Sequence, residues 1–241
     1  MFFNGIDKRV IYVVLAILVV YSLVNMTQAQ LISMLLTLPA VIIAITFHEF
    51  AHAFTAYKLG DTTPKAQGRV TLNPLSHLDP YGFVLLMFAN IGWGKPVEVN
   101  PNNFTSNKSR NACEALVSVA GPLMNILLAV IFTAISCALI KFAPAIASNE
   151  ILSVFMMELI WINLGLGVFN LLPIPPLDGS KIFATILPYN AKRWIENNYQ
   201  TIYFVFIILW ITGLLGRITS PVVGVLYKLI TMGIGKLFGL L

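Results

Sequence analysis

Charge is what this chain has least of. Only 10% of its 241 residues are Asp, Glu, Lys or Arg, where soluble domains average about a quarter. Set beside 58% hydrophobic residues, that shortage excludes a water-soluble globule and a disordered chain, both of which depend on solvated side chains. The fifteen cations outnumber the ten acids, yet they lie in short groups between long apolar runs, so no basic patch for nucleic acid is built. Their positions relative to a bilayer matter more than their sum. Cysteine is nearly absent. Cys113 and Cys137 are the only two, each in or beside an apolar run, which excludes a disulfide framework and a cysteine-based zinc site. Histidine is as scarce, with three in the chain.

What is present is apolar length. From Val10 to Phe47 no charged residue occurs in 38 positions, about 57 Å as one helix, while one crossing takes about 20 residues. The polar stretch Asn25 to Gln30 is the natural break, giving a first span near residues 8–26 and a second near 31–58. The Lys8-Arg9 start and the apolar core behind it also resemble a signal peptide, although Thr27-x-Ala29 makes a poor cleavage site. Pro80 to Gly94 is uncharged but short and interrupted by Gly82, Gly92 and Gly94. A re-entrant hairpin or interfacial segment fits it better than a crossing. Ala115 to Ile140 is a full span. The run from Leu159 to Leu177 should stop being helical near Leu172, because Pro173, Pro175 and Pro176 follow. Asn197 to Gly216 supplies another span, and Pro221 to Leu241 either crosses or lies on the surface. The expected architecture is an all-α polytopic membrane protein of about six transmembrane helices. It forms one integral-membrane domain over 1–241, with a core near 31–190, flanking spans at 8–26 and 197–241, and no appended soluble domain.

With Lys8 and Arg9 assigned to the cytoplasm, inside segments hold Lys8, Arg9, Lys58, Lys65, Arg69, Lys95, Lys108, Arg110, Lys181, Lys192 and Arg193, and outside loops hold Lys141 and Arg217. That bias orients a multi-pass protein of the cell membrane with its N-terminus in the cytoplasm.

An ionisable residue inside a span is costly to bury and marks function by default. The second span contains three in His48-Glu49-Phe50-Ala51-His52. Two histidines at i and i+4 share one helix face, so their ring nitrogens can converge on one ion. Zn²⁺ suits neutral imidazoles and brings the pKa of bound water to about 7. Glu49, beside the first ligand, is the candidate base that accepts the water proton and returns it to a leaving amine. Hydrolytic zinc takes three protein ligands. His77 lies in a polar loop beside Asp79, where a solvated role is the plainer reading. Asp178 follows Pro173-Ile174-Pro175-Pro176-Leu177, whose prolines fix an extended approach for its carboxylate, and its alternative role is to cap the helix starting near Gly179. A proton or ion pathway through His48, Glu49 and His52 is the competing reading. It calls for further charges along a route, and the spans add only Glu158 and Glu114.

The chain resembles the site-2 protease family of intramembrane zinc metalloproteases, in its small prokaryotic branch without PDZ or CBS domains. The likeness covers roughly residues 31–190. It is carried by His48 to His52, Gly68-Arg69-Val70-Thr71-Leu72-Asn73-Pro74, Gly92-Trp93-Gly94-Lys95-Pro96-Val97, Gly121-Pro122-Leu123-Met124-Asn125, and Asn170-Leu171-Leu172-Pro173 through Leu177-Asp178-Gly179. The resemblance implies a three-helix core in which His48, His52 and Asp178 hold one zinc per chain and Glu49 activates water. Asn170 would stand near the scissile carbonyl, donating to the oxyanion or holding the unwound substrate, or else make an interhelical hydrogen bond. Gly121 and Asn125 would be structural, permitting close helix packing and a buried hydrogen bond. Residues 80–99 would form a membrane-embedded hairpin or sheet whose edge pairs with a substrate strand. Substrates would be transmembrane proteins in the bilayer, and regulation would come from partner membrane proteins. The zinc would sit in the cytoplasmic half of the membrane. A catalytically silent membrane chaperone on this fold is the remaining alternative, disfavoured because all four site residues are intact.

Overall fold

The structure, a computed structural model, describes residues 8–89 and 92–240. The first span is α1, Lys8–Asn25. The expected break falls at Met26 and Thr27, where a capping box starts α2, Gln28–Lys58: Gln30 N donates to Thr27 Oγ at 3.3 Å, and Thr27 N donates back to Gln30 Oε1 at 2.9 Å. A polar knot follows, containing the short helix α3, Thr63–Ala66, and a 3₁₀ turn at Pro74–Ser76. Its base is Asp61, a buried carboxylate that accepts from Thr63 N at 3.0 Å, Asn100 N at 2.7 Å and Asn103 Nδ2 at 3.0 Å.

Residues 80–89 and 92–99 lie against each other as the unlike arms of a hairpin. The descending arm is α4, Pro80–Ala89, and the returning arm, from residue 92 on, has no helix or strand. One antiparallel bridge, Leu78 with Gly94, ties the returning arm to the chain just before α4, and no strand forms among the described residues. The arms touch backbone to backbone. A Cβ on Gly82 would lie 2.3 Å from the Trp93 carbonyl oxygen, and one on Gly92 would lie 2.3 Å from the Gly82 carbonyl oxygen. The glycines that shorten this segment as a span are what closes it as a hairpin.

Then come α5, Arg110–Phe142, the short α6, Pro144–Ala147, and α7, Glu150–Asn170. Ser109 and Asn149 cap the two long ones. Both cysteines are buried in α5 as free thiols. Helices α2, α5 and α7 form the core, with Ala40, Met156 and Leu159 packed around Phe132. Large apolar side chains such as Leu127, Ile151 and Val222 point outward, as a bilayer requires.

Beyond the site come α8, Asp178–Ala184, α9, Tyr189–Asn197, α10, Tyr199–Ile211, and α11, Leu214–Phe238. Here the architecture departs from the expected boundaries. α10 has 13 residues, about 20 Å, and ends at Gly213, which adopts φ 72°. The long apolar helix is instead α11, with 25 residues. Its direction is set by its neighbours. Leu215 is buried with Leu177 and Phe206, next to the site; Tyr227 stacks on Trp161 with centroids 4.9 Å apart; and the Phe238 carbonyl accepts from Lys141 Nζ at 2.6 Å, where α5 ends. Thus α11 runs antiparallel to α7, from the site end of the bundle to the far end. Arg217, expected in an outside loop, lies toward the site end with Lys58 and Arg110, and Lys236 lies toward the far end with Lys141.

Candidate metal centre

His48 and His52 stand one turn apart in the last third of α2 and are both buried. Asp178 approaches from a different part of the chain. α7 ends at Asn170, the prolines bar a new helix, and α8 begins with Asp178 as its first residue. Its cap position is Leu177, and the Asp178 carboxylate turns to the imidazoles instead. Asp178 Oδ2 lies 3.1 Å from His48 Nε2 and 3.1 Å from His52 Nε2, and the two Nε2 atoms are 3.0 Å apart. These residues form a group that could hold one metal ion, the only such group among the described residues. His77 is elsewhere: it is buried in the knot, with Nε2 donating to the Thr71 carbonyl at 2.7 Å.

The surroundings of the trio fit zinc. His48 Nδ1 donates to Asn125 Oδ1 at 2.6 Å, and His52 Nδ1 donates to the Val117 carbonyl at 2.7 Å. Both acceptors lack a proton, so each ring carries its hydrogen on Nδ1 and keeps the Nε2 lone pair for a metal. The orientation of Asn125 is enforced too. Its Nδ2 donates to the Ala44 carbonyl at 3.0 Å and to Asn163 Oδ1 at 2.9 Å, and Asn163 Nδ2 donates to the Leu159 carbonyl at 2.8 Å. Both amides are fully buried. Gly121 makes room for the centre: a Cβ there would lie 2.4 Å from His52 Nε2 and 2.7 Å from His48 Cε1. Two neutral nitrogens and one carboxylate oxygen are a donor set that zinc accepts.

Glu49 is partly buried beside the trio, and its Oε2 accepts from Val97 N, on the returning arm of the hairpin, at 3.1 Å. Asn170 ends α7, and its Nδ2 donates to the Leu166 carbonyl one turn back at 3.0 Å. The motif glycine and asparagine read from the sequence as packing residues, Gly121 and Asn125, adjoin the ligands themselves. Asn163 was missed altogether. Its signal was a neutral amide in the middle of an apolar helix, which a search for ionisable residues passes over.

A bundle with a buried two-histidine, one-carboxylate centre and an adjacent glutamate is the arrangement of a membrane-embedded metallohydrolase. Residues 36–147 and 137–213 match peptidase family M50, and the chain belongs to that family. It is 39% identical over 182 residues to the protein named "Putative zinc metalloprotease YwhC" of Bacillus subtilis, covering 75% of this chain and 82% of that one. Two proteins named "Putative zinc metalloprotease Rip2" are also similar. The one from Mycolicibacterium smegmatis is 31% identical over 182 residues, covering 73% of this chain and 66% of that one. The one from Mycobacterium tuberculosis H37Rv is 31% identical over 192 residues, with 78% and 70% covered. No solved structure matches.

Proposed function

We propose that this protein is an intramembrane zinc endopeptidase that cuts peptide bonds in or near the transmembrane segments of other membrane proteins. The observation that carries this reading is the convergence of His48, His52 and Asp178 with both imidazoles held in the metal-binding tautomer. A channel or transporter would need a file of ionisable groups, and a silent chaperone would have no use for an enforced tautomer.

His48, His52 and Asp178 would hold the ion. When bound, zinc supplies Lewis acidity toward the scissile carbonyl and makes a water acidic near neutral pH. Glu49 is the base: with Oε2 on the Val97 N–H, its other oxygen takes the proton of the attacking water and delivers it to the leaving amine. The Asn170 amide nitrogen has a second hydrogen beyond the one on Leu166, and this is the donor we assign to the substrate carbonyl or its oxyanion. The distribution of cations supports a cytoplasmic site end, since Arg217 joins the groups at that end. His48 lies ten residues before Lys58, about 15 Å along α2, so the centre belongs in the cytoplasmic half of the bilayer.

The test is co-expression with a panel of single-span substrates. Glu49→Gln is expected to keep near-normal zinc content and to abolish cleavage. Persistent cleavage would remove Glu49 from the role of base.

A further inference from the structure

Glu49 is tethered to a backbone that is itself clamped. We infer that Arg69 positions the general base, acting through the returning arm of the hairpin; this rests on the zinc-endopeptidase reading above. Arg69 is only 3% exposed, and both arms of its guanidinium donate to backbone carbonyls, Nη1 to Ser76 and Nη2 to Lys95. Burying a guanidinium is costly, and what this one does is fasten two separate segments together, a task for its rigid fork that a lysine ammonium cannot copy. The same residue is gripped on its other side. Lys95 N donates to the His77 carbonyl at 2.8 Å, and His77 is fully buried with its ring on Thr71.

The clamp fixes the register of the arm against α2. Gly94 sits on that helix, where a Cβ would lie 2.9 Å from Ile45 Cγ2 and 3.7 Å from Glu49 Oε1. Three residues on, the Val97 N–H holds Glu49 Oε2. A slip of one residue would bring opposite the carboxylate either Pro96, which has no N–H to offer, or Glu98, which carries a like charge. Arg69 therefore keeps the Val97 N–H, rather than a neighbouring residue, opposite Glu49, although it lies outside the metal centre. It is a positioning residue, and its loss should appear in kcat while zinc binding and KM stay close to wild type.

The experiment uses the full-length, zinc-loaded protein in proteoliposomes with a single-span substrate. Arg69→Lys keeps the charge and loses the fork, and is expected to lower kcat about ten- to a hundredfold with full zinc content. Val97→Pro removes the tethering N–H while leaving the clamp untouched, and is expected to give the same loss. The double variant should be no slower than either single one. Wild-type kcat in zinc-loaded Val97→Pro would overturn the proposal, as would losses that multiply in the double variant. An Arg69→Lys protein that folds but loses zinc together with activity, or that keeps wild-type kcat, would equally overturn the role given to Arg69. A wild type that binds zinc and cleaves nothing sinks the protease reading, and this proposal with it.

Discussion

An imidazole offers Nε2 to a metal only when Nδ1 keeps the proton, and here a peptide carbonyl enforces this for His52 and a chain of two amides enforces it for His48. Asn163→Ala leaves the Asn125 amide with one anchor, the Ala44 carbonyl, in place of two, and Asn125→Leu removes the acceptor outright. Both are expected to weaken zinc binding about 10–100-fold, measured by competition with a chromogenic chelator; unchanged affinity would refute this role. The residues that were legible in the sequence are those whose geometry is local. His48, Glu49 and His52 lie within one helical turn and a half, so spacing alone places them. Asp178 meets them across 130 and 126 positions of chain, and only the proline break and the family motif pointed to it. Asn163 offered neither a charge nor a motif.

At the scale of elements, the knot between α2 and α5 is where polar groups do the work that apolar packing does elsewhere. Burial and, next, the Arg69 guanidinium hold the His77 imidazole below its ordinary value, opposed by its bond to Thr71 and by the charge of Glu49. The neutral ring is thus the one the fold prefers. Its contribution is fully present above about pH 6.5 and is lost as the pH falls from there through the depressed native value. Thermal melting in detergent should fall between pH 7.5 and 5.5, and His77→Gln should flatten that dependence; equal slopes in both proteins would contradict it. The hairpin was legible as a hairpin, because an uncharged run interrupted by Gly82, Gly92 and Gly94 is too short for a crossing. Its pairing of one helical with one irregular arm was not, since the contact of α4 with Gly92 and Trp93 follows from packing. The end of α10 at Gly213 was hidden for a similar reason: a continuous apolar run does not reveal where a left-handed residue turns it.

For the whole molecule, the direction of α11 decides the topology. If it crosses from the site end, residues 65 and 240 lie on opposite sides of the membrane. Single cysteines at exposed Lys65 and Leu240, in a background lacking Cys113 and Cys137, are expected to react with an impermeant thiol reagent from opposite faces. Labelling from the same face would turn α11 into a surface helix. The class of the molecule was legible from composition, since a chain so poor in charge has nowhere to fold but a bilayer. The number and placing of its crossings required the contacts of Leu215, Tyr227 and Phe238.

The bare backbone at Gly121 has a consequence for reading other sequences. Even a methyl group there would overlap the two ligand rings, so this position works as a diagnostic for the whole centre. A chain may carry the His-Glu-x-x-His string and the distant aspartate intact. If it has a side chain at the place of Gly121, its two ligand rings must stand elsewhere than they do here.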